Sequence, residues 1–394
     1  MTRRLRLGMV GGGEGAFIGA VHRIAARLDD AFELVAGALS SDAARAQSSA
    51  EALGLARSYA GWREMASVEG VREDGIDAVA IVTPNHLHAP VAHAFLDAGI
   101  HVICDKPLAV SLAEGEALAR HARDANLVFA LTHTYSGYPL VRHARELVEA
   151  GELGEVRVVQ VEYAQDWLAN PVERAVERAG ECAGERGGAN RQAIWRTDPA
   201  LAGPAGCLGD IGTHAYQLAA FVSGLVPESL AAEVHTFVPG RRVDDHVQAM
   251  LRYASGARGM LWASQVASGA ENALRLRVYG TKAGLAFDQE EPNLLWFTPQ
   301  GGEAQRLTRG RVTGGAAQHA TRVPPGHPEG YLEAFAQLYR DAAAQIHARE
   351  SGEPAPPESR LLTTVADGVE GLRFIEAVLA SSAAGGAWRS IVRP

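Results

Sequence analysis

Asp210 and His214 stand four residues apart in a helical pattern, which puts both side chains on one helix face and lets them address one cleft. A neutral imidazole can take a proton from a hydroxyl, and a carboxylate close by favours the imidazolium that results. The plainer roles are a helix-start cap for Asp210 and a surface position for His214. A mononuclear metal site would need a third ligand at matching reach; no H-E-x-x-H-like partner accompanies the pair, so no metal is expected. Lys106 lies in Asp105-Lys106-Pro107, directly after the apolar run His101-Val102-Ile103-Cys104. Lysines at the mouth of a sheet usually only reach solvent, but one beside a proline-fixed turn at the carboxyl edge of such a sheet is a better catalytic candidate than most.

A second chemistry is written at the start of the chain. The apolar run at 5–10 leads straight into Gly11-Gly12-Gly13-Glu14-Gly15-Ala16-Phe17-Ile18-Gly19 and then a helical pattern. Glycines after a strand let the backbone approach a pyrophosphate, which would sit on the free N–H groups of the helix start. Gly11, Gly13 and Ala16 satisfy the G-x-G-x-x-A spacing, Phe17 and Ile18 open the helix, and Gly19 comes late. The acid that grips a ribose 2′-hydroxyl should follow the second strand, where Ser40 stands instead. Ser41 and Arg45 are placed to hold a 2′-phosphate, although Ser41 or Asp42 serves equally as a helix cap. The cofactor is therefore NAD or NADP, with the pattern favouring NADP.

Thr83-Pro84-Asn85-His86-Leu87-His88 follows a third apolar run, at the carboxyl end where doubly wound sheets bind ligands. Thr83, Pro84, Asn85, His88, Asp105 and Lys106 are candidates for the cofactor's edge, and Asn85 also reads as a helix cap. His133, Tyr135, Asp166, Trp167, Trp195 and Arg196 are candidates for walls and hydrogen bonds around a substrate, together with Lys106, Asp210 and His214. Each of the first six fits core packing or an ion pair equally well.

These residues resemble the Gfo/Idh/MocA family of sugar and inositol dehydrogenases. The likeness covers essentially the whole chain: the glycine loop, the Thr83–His88 motif, Asp105-Lys106-Pro107, Trp195-Arg196, and Gly209-Asp210-Ile211-Gly212-Thr213-His214. Lys106 matches the family's catalytic lysine, and Asp210 and His214 match its Asp-x-x-x-His pair. Asp105 replaces the family's usual glutamate; the longer glycine loop and the missing acid at Ser40 are further departures. On its sugar-acting side the chain resembles the branch that includes levoglucosan dehydrogenase and glycoside 3-dehydrogenases. The resemblance implies an NAD(P)-dependent oxidoreductase acting on a secondary alcohol of a sugar, inositol or anhydrosugar. His214 would be the general base, Lys106 the polarising group, and dimers or tetramers would form through sheet faces. Two alternatives are a glycoside-cleaving enzyme that oxidises transiently with retained NAD, and a non-catalytic dinucleotide sensor.

The elements that must position these groups follow two grammars. Apolar runs at 5–10, 33–39, 76–82, 101–104 and 127–131 alternate with helical patterns at 18–27, 42–53, 88–98 and 112–126, which predicts an α/β Rossmann domain with a doubly wound parallel sheet. Later runs at 155–163, 233–237, 246–253, 257–265, 273–279 and 284–288 alternate polar and apolar residues, with helical patterns at 209–222, 328–347 and 361–380. They predict an α+β domain with a mainly antiparallel open sheet. Residues 1–134 are expected to bind the dinucleotide and residues 135–394 the substrate and a second copy of the chain, with the C-terminal helices able to pack back on the first domain. The polar stretches 170–191 and 301–325 read as mobile excursions, and His327-Pro328-Glu329-Gly330 as a structural helix start.

Composition excludes other classes. With 394 residues, 47% apolar and 21% charged, the chain can bury large cores without staples. A net charge of −9 favours neither a phosphate backbone nor an anionic membrane. Three cysteines, Cys104, Cys182 and Cys207, fit neither a disulfide framework nor a zinc motif, and no apolar stretch is long enough for a span, so a reducing cytoplasm is the expected setting.

Overall fold

The computed structural model describes residues 3–173 and 187–393, so most of the 170–191 stretch lies outside the described residues. The chain divides into two compact units, one of Met1–Gly137 with Tyr331–Val369, the other of Tyr138–Gly330 with Glu370–Pro394.

The first unit is built on strands β1 (Leu5–Gly11), β2 (Phe32–Ala38), β3 (Arg57–Ser58), β4 (Ala78–Val82), β5 (His101–Cys104) and β6 (Phe129–Leu131). Their order is β3-β2-β1-β4-β5-β6, and every pairing is parallel. Helices α1 (Phe17–Leu28), α2 (Ala43–Ala52), α3 (Trp62–Glu69), α4 (His88–Asp97) and α5 (Leu112–Asp124) supply the crossovers. The order reverses between β1 and β4, the switch point at which such sheets bind ligands. All five residues of β4 are buried, as a central parallel strand covered on both faces requires. From the end of the chain, Phe335, Leu338, Tyr339 and Ile346 enter the same core as Leu5, Leu7 and Met9.

The second unit carries α6 (Pro139–Glu149), α7 (Gly187–Arg196), α8 (Pro199–Ala202), α9 (Thr213–Ser223) and α10 (Gly315–Ala320). Its strands are β7 (Val156–Ala164), β8 (Pro227–His235), β9 (His246–Tyr253), β10 (Arg258–Ser264), β11 (Ala273–Gly280), β12 (Ala283–Asp288), β13 (Leu294–Pro299), β14 (Gln305–Thr308) and β15 (Arg389–Ser390). They form one nine-stranded sheet, ordered β14-β13-β12-β11-β7-β10-β9-β8-β15 and antiparallel except for the β7/β10 pair. Alternation sorts the two faces: Val159, Val161, Leu276, Val278 and Phe287 are buried, whereas Met250, Met260, Tyr279 and Trp296 are exposed on the other side.

The structure corrects one sequence expectation here and adds two strands to the predicted set. The 301–325 stretch is not an excursion, since it holds β14, a short 3-10 turn and α10. Glu329 accepts from the N–H groups of Arg322 and Val323 and pairs with buried Arg309 at 2.8 Å, tying the stretch down from the His327–Gly330 segment. The strands β13 and β14 lie outside the predicted set; β14, Gln305–Thr308 at the sheet edge, is four residues long with Leu307 its one apolar residue, too short to show an alternation.

Candidate functional site

The glycine loop is shaped by backbone that only glycine tolerates. Gly11, Gly12 and Gly15 have φ of 78°, 69° and 79°. A Cβ on Gly11 would lie 2.4 Å from the Val82 carbonyl oxygen and one on Gly13 2.7 Å from that of Leu39. Close helix–strand packing, expected at Ala16, belongs to Gly19, whose Cβ would fall 2.3 Å from the Gly12 oxygen. Ala16 instead precedes α1 with no side-chain cap, leaving the first-turn N–H groups for a ligand. The Arg23 guanidinium donates to the Gly12 carbonyl at 2.5 Å and Ser49 Oγ accepts from the Glu14 N–H at 3.1 Å, fixing the loop from behind. Phe17 is exposed at the helix start, with Ile18 beside it.

At the end of β2, Ser40 Oγ accepts from the Asp42 N–H and Asp42 Oδ1 from the Arg45 N–H at 2.8 Å. Asp42 is thus the cap of α2, and Ser41 and Arg45 are exposed around it. Asn85 is not a cap, contrary to expectation: it is buried inside a 3-10 turn, Asn85–Leu87. His88 is buried, with Nδ1 2.6 Å from the Pro107 oxygen and Nε2 2.9 Å from that of Thr83. Both ring nitrogens therefore face main-chain carbonyls, to one of which a neutral imidazole donates, and His88 braces the Thr83-Pro84 segment against Lys106-Pro107. Asp105 Oδ1 accepts from the Lys106 N–H and the Thr132 hydroxyl, each at 2.9 Å. His133 is buried near Lys106, and desolvation, helped by that ammonium, pulls its pKa down to about 3, so it stays neutral. Tyr135 is buried against Tyr331 in the turn after β6.

In the second unit Asp210 does not sit on a continuous α-helix. It occupies a π-helical turn, Leu208–Gly212, which runs into α9, where His214 is the second residue. Asp210 Oδ2 accepts from Gln265 Nε2 at 2.8 Å and lies 3.5 Å from Arg196 Nε. The Arg196 guanidinium lies 4.3 Å from the Trp195 ring centre and 6.0 Å from that of Trp167. His214 is buried with its ring 6.4 Å from Tyr163. Trp167, Trp195, Arg196 and Asp210 are thus brought together. Asp166 is exposed and its carboxylate accepts from the Gly269 N–H, holding a turn of the chain.

Sequence reasoning missed Gln265 and the polar chain beside it. Trp167 Nε1 donates to Gln165, Gln165 Nε2 and the Tyr163 hydroxyl both donate to Asn272 Oδ1 at 2.7 Å, and Asn272 donates to Gln289. These residues come from the ends of separate strands, and only the Tyr163, Gln165, Trp167 alternation offered a signal. Among the described residues, no group of three His, Cys, Asp or Glu could hold a metal ion, and no helix is long and apolar enough to cross a membrane.

A six-stranded parallel sheet with a glycine cradle at its switch point, in a chain whose second unit carries Asp210 and His214, defines an NAD-binding oxidoreductase. Residues 5–133 match the model of an oxidoreductase family with an NAD-binding Rossmann fold, and residues 141–286 that of the GFO/IDH/MocA C-terminal domain. The chain belongs to the GFO/IDH/MocA oxidoreductase family. It is 48% identical to an oxidoreductase from Sinorhizobium meliloti, with a TM-score of 0.87 over 99% of this chain and 100% of that one. An inositol dehydrogenase homologue from Azotobacter vinelandii, solved in complex with NAD+, is 36% identical with a TM-score of 0.90, over 99% of this chain and 98% of that one. A levoglucosan dehydrogenase of Pseudarthrobacter phenanthrenivorans is 29% identical over 83% of this chain and 82% of its own length. Membership of an oxidoreductase family across both units sets aside the non-catalytic sensor.

Proposed function

We propose that the protein is an NAD(P)-dependent dehydrogenase acting on a secondary alcohol of a sugar, inositol or anhydrosugar. The observation that carries this reading is the grouping of Asp210 with Arg196, Trp195 and Trp167, with His214 four residues on: an aromatic wall and fixed polar groups suit a polyhydroxylated ring. The names of two relatives, an inositol dehydrogenase homologue and a levoglucosan dehydrogenase, support the same substrate class.

The glycine cradle fits a pyrophosphate, with Gly11, Gly12 and Gly13 leaving the backbone bare and α1 offering its N–H groups. When bound, the nicotinamide supplies the redox chemistry. His214, as a neutral imidazole, accepts the hydroxyl proton at one ring nitrogen, and Asp210 orients it or a neighbouring hydroxyl. Lys106 donates to the reacting oxygen and favours its alkoxide character. Asp105, bonded to the Lys106 N–H and to Thr132, fixes the backbone from which that side chain projects. The reading requires Lys106 and His214 to address one substrate carbon. It also takes the protein to be a homodimer or homotetramer of the cytoplasm.

Absorbance at the reduced-nicotinamide band, across inositols, hexoses, pentoses and anhydrosugars with both cofactors, tests the reading. Reduction of free cofactor by one of these polyols supports it. Release of a glycosidic leaving group with tightly retained cofactor and no net reduction contradicts it in favour of the glycoside-cleaving alternative.

A further inference from the structure

We propose that Asp244 is a positioning residue for the reaction, holding from outside the turn that carries Asp210 and leads into the helix of His214. The proposal rests on the roles given above to those two residues. The turn begins at Cys207 with no side-chain cap of its own. Three consecutive N–H groups at its entry converge on one residue 36 to 38 positions later in sequence: Gly206 donates to Asp244 Oδ1 at 2.7 Å, Leu208 to Oδ2 at 2.7 Å, and Cys207 to the Asp244 main-chain oxygen at 2.9 Å. Asp210 closes the turn by donating its own N–H to the Gly206 oxygen at 2.8 Å.

A carboxylate is the side chain this geometry requires. Two donors flanking one residue each need an acceptor, and a carboxylate offers two equivalent oxygens, whereas an amide would aim an NH2 group at one of the N–H donors. Gly206 completes the fit, because a Cβ there would fall 2.2 Å from the Asp244 oxygen. The arrangement is costly, since Asp244 is buried and desolvation pushes its pKa up to about 6 against the pull of the two N–H bonds, with the neighbouring Asp245 charge raising it further. The Cys207 thiol, raised by burial and by Asp244, Asp210 and Asp245, stays protonated and inert. Asp245 is paired with buried Arg241 at 3.1 Å, and Arg241 donates to the Leu168 and Asn170 carbonyls just past Trp167. The tandem of Asp244 and Asp245 therefore fixes the Asp210 turn and the Trp167 segment to a common point.

The test compares Asp244→Asn and Gly206→Ala with the intact chain, using hydrogen exchange at amides 206–210, the NMR titration of the His214 imidazole, NADH affinity, and kcat on whichever polyol the screen identifies. Losing one acceptor for a buried N–H is expected to speed exchange at these amides and to lower kcat by about tenfold or more, with NADH affinity unchanged and the His214 midpoint displaced. Gly206→Ala pushes the same turn off Asp244 without changing charge, so it gives the same signature and decides the matter should Asp244→Asn not fold. Folded variants with a wild-type His214 midpoint and wild-type kcat would overturn the proposal. The exchange and imidazole readouts need no substrate, so they decide the role of Asp244 even if His214→Ala retains turnover and the catalytic reading itself fails.

Discussion

Gly19 packs against Gly12 so closely that a Cβ on Gly19 would sit 2.3 Å from the Gly12 carbonyl oxygen. Alanine there must push α1 away from the end of β1 and open the cradle. Gly19→Ala is expected to weaken NADH binding by at least about tenfold while thermal unfolding stays cooperative, because the clash is confined to the loop. Fluorescence titration of NADH checks it, and wild-type affinity in the variant would contradict it.

Arg45 is exposed at the start of α2, beside Ser40 and Ser41 and with no acid at the Ser40 position. If it neutralises a 2′-phosphate, Arg45→Ala weakens NADP(H) more than NAD(H). Equal losses for the two, or no NADP(H) binding by the intact protein, would leave Arg45 as a solvated first-turn residue behind the Asp42 cap.

Met250 and Met260 face each other across the β9/β10 pairing and are 57% and 51% exposed, on the sheet face that also bears Tyr279 and Trp296. Apolar exposure of that kind marks a contact surface. Light scattering is expected to give a dimer or tetramer of the 41.7 kDa chain, and Met250→Asp with Met260→Asp a smaller species. A wild-type mass of one chain contradicts this.

How legible these features are in sequence differs between the two units. The cofactor half is written in contiguous motifs, because a strand, its turn and the next helix are neighbours in the chain. Even there, Ala16 matched the spacing while Gly19 does the packing, after a loop that turns through Gly15 at a φ of 79°. In the second unit the four-residue spacing of Asp210 and His214 was visible, but the π-turn was not, since the carboxylate that its entry N–H groups bond, Asp244, lies 36 to 38 residues further on, in the loop before β9. Gln265 and Asn272 likewise reach the site through sheet register, which a single sequence does not display.

Stability is expected to fall with acid. Burial lowers His22 and His101 to about 4 and His133 to about 3, so the unfolded chain, with histidines near 6.5, binds about three more protons than the native one at pH 5. Asp244, raised to about 6, works the other way by about one proton. The histidines outweigh it, and His88, His93 and His246, also lowered by burial, add to them, so stability falls as the pH drops through and below the range in which the unfolded histidines take up protons. Urea unfolding at pH 7 and pH 5 checks the sign; an unchanged or higher midpoint at pH 5 contradicts it.

The division of labour between His214 and Lys106 is tested most directly by the single-turnover rate of hydride transfer in His214→Ala, with Lys106→Ala beside it and NADH affinity measured for His214→Ala. A general base contributes about 10²–10⁴-fold, so His214→Ala should lose that much of kcat while NADH affinity holds. Lys106→Ala should lose a comparable amount, and Lys106→Arg should recover little because a planar fork cannot replace a compact ammonium. Wild-type turnover in His214→Ala, with an unchanged basic limb of the pH–rate profile, would contradict the account and move the proton to Lys106.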